Sequence, residues 1–258
     1  MMSVWLSGSL FFLLGLCVGS FLNVVIYRLN HNLSPLRGRS FCPKCKKKII
    51  WYDNLPLLSF VLLRGRCRFC HSPISWQYPL VELATGVLTL LTVYLSLFTL
   101  KATGLAVVYH LLVTYALITL FVSDFLYQTH PDEIIYPTLG LIFAWTLFRG
   151  DLLMALLAAV TAAAFFILLI VVTRGKGMGW GDIKLVGLMG LFLGFPGLGV
   201  ALILAFLTGA TTGVILVLLR KKRLGDQISF GPFLTSATWI SFFWGQKIWQ
   251  FYVEKLIL

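Results

Sequence analysis

Apolar residues in this chain gather into long blocks separated by short polar stretches. One block runs from Trp5 to Tyr27, and others cover about 78–97, 104–126, 133–148, 152–173, 182–194, 198–219 and 231–252. A bilayer crossing takes roughly 20 apolar residues in helical form, so the pattern predicts about eight spanning helices. The fourth and sixth blocks are short, and the sixth is closed by Gly194-Phe195-Pro196-Gly197. Short segments broken by Gly and Pro suit helices that line a water-filled cavity. The first block has no basic residue before it and no small-residue cleavage site, so it reads as a retained anchor. Ser20 and Asn23 give it a polar stripe expected to face other helices. Cys17 reads as a small buried hydrophobe.

The segment between the first two blocks differs in kind. Arg28 to Gln77 carries ten of the 21 Lys and Arg residues, a single carboxylate (Asp53) and four of the five cysteines. The expected fold is therefore an all-α polytopic membrane protein: a first transmembrane helix over 1–27, a small cytoplasmic domain over 28–77, and a seven-helix membrane domain over 78–258. Composition agrees, with 59% hydrophobic and 12% charged residues, against about 45–50% and about 25% in soluble domains. The net charge of +12 sits in clusters beside apolar blocks, which is the mark of membrane topology and not of nucleic-acid binding. With the N-terminus outside, seventeen basic residues fall on the cytoplasmic side. Lys101, Arg149, Lys247 and Lys255 are left on the other.

Nine carboxylates make the search for acid–base chemistry short: Asp53, Glu82, Asp124, Asp132, Glu133, Asp151, Asp182, Asp226 and Glu254. Asp182 ends the run RGKGMGWGDIKL (174–185), with glycine at every second position. An aspartate costs ~2.5–3.5 kcal/mol at the centre of a spanning helix, so beside lipid it is a functional candidate. Its plainer role is to cap the following helix. Asp124 stands near the end of the third block, at the depth and on the side expected for Asp182. Asp53 and Asp226 fall in cytoplasmic loops, Asp151 and Glu254 on the opposite side. Glu82 falls in the first turn of a span, where a helix N-terminus favours it. Two carboxylates ~4 Å apart repel by about 4 kcal/mol at an effective dielectric near 20. One then stays protonated while its partner is ionised, so the pair can activate water and protonate a leaving group.

Cys42-x-x-Cys45 and Cys67-x-x-Cys70 are 21 residues apart. In a cytoplasmic loop disulfides are disfavoured. Four thiolates around zinc would staple a segment with too little core to fold alone. A pair of redox-active CxxC motifs is the other reading of the spacing. Lys44, Lys46, Lys47 and Lys48 serve topology and offer contact to anionic lipid headgroups.

GMGWGDIKL resembles the glycine-flanked aspartate motif of the GxGD aspartic proteases. Asp124, followed by Pro131-Asp132, resembles its companion. With GSFLNVVIYRL (19–29), CPKC (42–45), WYDNLPLLSF (51–60), RGRCRFC (64–70), ISWQYPLVEL (74–83) and FGPFL (230–234), the chain resembles the type IV prepilin peptidases over nearly its full length. The resemblance implies an aspartic endopeptidase of the bacterial plasma membrane that removes the leader from type IV pilin-like precursors on the cytoplasmic side. It also implies methylation of the new N-terminus by S-adenosylmethionine. Asp124 and Asp182 carry over as the catalytic pair, with Gly179, Gly181, Asp132 and Lys184 in support; Asp132 is the alternative to Asp124 as the partner of Asp182. Thr129-His130 departs from the small or aliphatic residues that relatives often carry before the proline; His130 reads as an interfacial side chain, with a direct proton role as the other reading. No glycine-rich nucleotide fingerprint follows a strand, so the sequence alone does not locate the methyl donor; the four-cysteine domain, with Asp53, Asn54 and Glu82 nearby, is the place to look. Two other classes fit parts of the pattern: a presenilin-like protease without methyl transfer, and a transporter or assembly scaffold whose aspartates bind cations.

Overall fold

A computed structural model of the chain describes residues 2–35, 37–175, 178–222 and 229–256. Lys176, Gly177, Arg223 and Asp226 lie outside the described residues. Within them the chain is all-α. The helices are α1 (Met2–Leu29), α2 (Leu58–Leu62), α3 (Gln77–Phe98), α4 (Gly104–Tyr127), α5 (Asp132–Arg149), α6 (Leu152–Val172), α7 (Trp180–Leu218) and α8 (Gly231–Leu256). Five of them are long and apolar enough to cross a membrane: α1, α3, α4, α6 and α7. The chain forms two compact units, Met1–Tyr115 and Ala116–Leu258, with the boundary inside α4.

In the first unit α1 packs along α3 because small residues let the backbones approach. A methyl group on Gly19 would lie 2.8 Å from Glu82 Cα, and one on Gly15 would lie 2.8 Å from Gly86 Cα. Asn23 faces α3 as expected, donating to the Tyr78 carbonyl at 3.1 Å. Cys17 is exposed, so it lies on the outward face of α1 and not in the core. Ser75 Oγ accepts the Gln77 N–H at 3.2 Å, and α3 starts there. Glu82 is therefore beyond the first turn, contrary to the sequence expectation. Its Oε2 instead accepts the N–H of Leu57 at 2.8 Å, where the backbone is held at a φ of 59°. Further along, Thr92 pairs with Thr114 at 3.2 Å and Ser96 with His110 Nδ1 at 2.9 Å, joining α3 to the first part of α4.

In the second unit α6 and α8 pack against α7 around a core that includes Leu120, Ile135, Phe166, Leu185, Met189 and Leu234. The 39 residues of α7 would run roughly 58 Å if straight, about twice the hydrocarbon thickness. The helical path breaks where the apolar pattern placed it, at Gly194 (φ 59°, ψ −170°) and Phe195. Only glycine enters that conformation readily. Ser241 of α8 donates to the Gly197 carbonyl at 2.6 Å beside the break.

Gly190 sets the spacing of α6 and α7, since a methyl there would lie 2.5 Å from Ala159 Cα. Gly190→Ala should cost about 1–3 kcal/mol of stability, read as a lower thermal midpoint in detergent. Gly187→Ala, with nothing within 4 Å of the added methyl, should leave the midpoint no lower, and raise it slightly through the better helix propensity of Ala.

Candidate active site

Asp124 lies one turn from the end of α4 and Asp182 in the first turn of α7, both within the second unit. Both are buried, at 4% and 6% exposure, and each carboxylate has one oxygen fixed by the protein. Asp182 Oδ2 accepts the Gly179 N–H at 3.1 Å, the reach-back of a helix N-terminus to its own cap. Asp124 Oδ2 accepts a short hydrogen bond from the Ser229 hydroxyl. Ser229 also donates to the Asp124 carbonyl at 3.2 Å.

The other oxygen of each carboxylate faces one imidazole. His130 Nδ1 lies 3.8 Å from Asp124 Oδ1, and His130 Nε2 lies 3.9 Å from Asp182 Oδ1. The His130 side chain is only 8% exposed, so it is not the interfacial group expected from the sequence. Its ring enters the site because the segment joining α4 to α5 carries it between the two aspartates. His130 Nε2 is buried without a hydrogen-bond partner.

Backbone closes around this ring at two glycines. A methyl on Gly181 would lie 3.0 Å from His130 Nδ1. A methyl on Gly231 would collide with Asp124 Oδ2 and lie 2.7 Å from His130 Nε2. Gly231 opens α8, and its neighbour Phe230 is anchored against Phe206 (5.1 Å) and Phe166 (6.4 Å). An aromatic cluster thus seats the start of α8, and with it Ser229 and Gly231, against Asp124. Ser229 is the residue that sequence reasoning misses, and a proton role is only its second reading of His130. The FGPFL motif pointed to the right segment, one residue after Ser229.

The remaining predicted residues lie outside the buried cluster. Asp132 is exposed and pairs with Lys184 at 2.7 Å; Lys184 also sits 5.4 Å from the Tyr136 ring. This pair links the start of α5 to α7. Exposed pairs contribute little stability, typically about 0.2–1 kcal/mol.

In the first unit Cys42, Cys45, Cys67 and Cys70 bring their sulfurs within 4.8 Å of one another. Two matching turns do this. Phe41 bridges to Lys48 and Arg66 to Pro73. Lys46 and His71, each following a second cysteine, both have positive φ. Their N–H groups donate to the carbonyls of Cys42 and Cys67 at 2.8 and 2.9 Å. The Ser72 hydroxyl, 3.1 Å from Cys70 Sγ, and then the Ser72 N–H hold the Cys70 thiol down at about 6. Four converging sulfurs at this separation can hold a metal ion with Zn–S bonds of ~2.3 Å. Lys46 and Lys47 lie over the rings of Phe41 and Phe69, at 5.4 and 4.9 Å. Asp53 is bound bidentately by Arg68 at 2.6 and 2.7 Å. Asp53 and Glu82 are thus both held in place by protein groups.

Comparison with known proteins follows the division seen in the fold. Residues 13–96 match the bacterial peptidase A24 N-terminal domain, and residues 111–214 match the type IV leader peptidase family. The chain is 36% identical to the prepilin leader peptidase/N-methyltransferase of Aeromonas hydrophila, over 98% of its own length and 96% of that protein's. It is 35% identical to the protein of that name from Pseudomonas aeruginosa, over 94% and 92%. With the Myxococcus xanthus protein it shares 40% identity over 84% and 64%. No solved structure matches the chain.

A methyl group at position 231 would push on both Asp124 and His130, and displacements near 1 Å cost about 10²-fold in rate. Gly231→Ala should lower peptide hydrolysis by about that factor in a cleavage assay. Gly140→Ala, where nothing lies within 4 Å, should be neutral.

Proposed function

The chain belongs to the type IV leader peptidase family and is an inner-membrane prepilin peptidase and N-methyltransferase, and from that premise we propose that Asp124 and Asp182 are its catalytic pair. The observation that carries this reading is the convergence of two buried carboxylates on one imidazole, with a single oxygen of each fixed by Ser229 or Gly179. One aspartate takes a proton from water as the water attacks the peptide carbonyl after the leader. The other gives a proton to the leaving amine. Ser229 and the Gly179 N–H hold one oxygen of each carboxylate still, which fixes the orientation of the pair. Asp132 and Lys184 support the site from its surface by fixing α5 to α7. Neither a presenilin-like protease nor a cation-binding scaffold is favoured by relatives that share both halves of the chain.

The substrates are type IV pilin or pseudopilin precursors, each presenting a short leader and then an apolar helix. We read eight spans, taking the two halves of α7 separately and adding α5 and α8 to the remaining four. The N-terminus lies outside and the active site on the cytoplasmic side, as the seventeen-to-four division of basic residues supports. Cys42, Cys45, Cys67 and Cys70 hold a structural zinc ion, which fixes a segment poor in apolar core. Basic residues beside it face anionic lipid headgroups. S-adenosylmethionine supplies the methyl group for the freed amine.

Purified enzyme mixed with a pilin precursor should release the leader, and the mature product should gain one methyl mass when the donor is present. Asp124→Asn and Asp182→Asn should each abolish cleavage; a variant that still processes the precursor removes that residue from the pair. Metal analysis should find about one zinc per chain, lost in Cys42→Ser together with thermal stability.

A further inference from the structure

Hydrolysis by two carboxylates leaves a problem of proton accounting. After one turnover the aspartate that took the water proton is protonated, and the one that served the amine is ionised. Before the next turnover the proton must cross from one to the other. In this chain the two carboxylates face each other across a ring. The outer oxygens are held by Ser229 and Gly179. The inner oxygens lie 3.8 and 3.9 Å from the two nitrogens of His130. Those distances are beyond hydrogen-bond length and too short to admit a water between. Closing each to hydrogen-bond length takes roughly 0.6–1 Å, by the tightening of catalytic contacts that accompanies substrate binding.

We propose that His130 is the proton relay of this enzyme, a positioning residue that returns the aspartate pair to its starting state. The proposal rests on Asp124 and Asp182 being the catalytic pair. In the step, the protonated carboxyl gives its Oδ1 proton to the ring nitrogen it faces. The opposite nitrogen gives its own proton to the ionised carboxylate. No bond between heavy atoms changes, and the site holds as many protons after as before. The ring is left as the other tautomer and is restored by exchange with water.

The surroundings suit this use. Among the described residues, Asp124 on α4 and Asp182 on α7 are the charged groups facing the ring. The start of α8 presents Gly231, which has none, and Asp132 and Lys184 pair with each other outside the cluster. Gly181 and Gly231 wall the ring at 3.0 and 2.7 Å from where a methyl would stand. That confines the imidazole between the two oxygens. The buried, unpartnered Nε2 is what a nitrogen waiting to exchange a proton requires, and its burial is difficult to explain by packing alone.

Rapid-quench kinetics on full-length enzyme and a pilin precursor tests the relay, using His130→Gln and His130→Ala preparations that are monodisperse in detergent. A relay acts between turnovers, so the first turnover should run within about threefold of the unmodified rate. Later turnovers should then slow by about 10²-fold or more, with KM little changed. The result is a burst of one product per enzyme. Imidazole in the buffer should speed the slow phase of His130→Ala and leave the burst unchanged. Steady turnover at the unmodified rate overturns the proposal. So does equal slowing of both phases in both variants, which would make His130 a structural support. Asp124→Asn and Asp182→Asn should lack even the burst; if either keeps it, the catalytic pair is wrong, whatever His130 does.

Discussion

Carboxylates held beside lipid must be hydrogen-bonded or neutral, because water is not there to solvate them. The second unit of this protein meets that demand by giving each aspartate one fixed oxygen and one shared neighbour. Ser229 and Gly179 supply the fixed contacts, and His130 supplies the neighbour. Most of the unusual local structure near the site follows. Gly181 and Gly231 leave room for the imidazole, and at Gly231 for the Asp124 carboxylate as well, where a side chain would project. The aromatic packing of Phe230 on Phe206 and Phe166 holds the start of α8 tightly enough for Ser229 to reach Asp124.

The same demand explains why α7 is not one straight rod. Its first turn must bring Asp182 to the site, while its later part must continue along α6 and α8. A break at Gly194 lets one run of sequence do both, and Ser241 supports the chain just beyond it. The Asp132–Lys184 pair, by contrast, is exposed. It holds α5 near α7 but carries none of the burial that gives the inner pair its chemistry.

The first unit solves a different problem. A polar loop with few apolar residues cannot fold through burial. It is organised by four converging cysteines, by the Asp53–Arg68 pair and by Glu82 reaching back to the Leu57 N–H. Close packing of α1 on α3 through Gly15 and Gly19 gives this loop a firm base. Two short turns of matching geometry, around Cys42 and Cys67, place the sulfurs.

Block length and composition determined that this is a helical membrane protein, because an apolar run of bilayer length has few other stable homes. The break in α7 was legible for a similar reason: Gly and Pro act through the backbone of their own residues. Cysteine spacing and the glycine-flanked aspartate were likewise local signals, strong enough to point to a four-sulfur cluster and a candidate pair. What the sequence could not decide was which side chains face one another across helices. His130 sits in a short connection without periodicity and read as interfacial, and Ser229 stands 105 residues from the aspartate it binds. Cys17 and Glu82 were misplaced because helix rotation and the true start of α3 depend on neighbouring helices. Those are long-range packing decisions, and only the tertiary structure makes them.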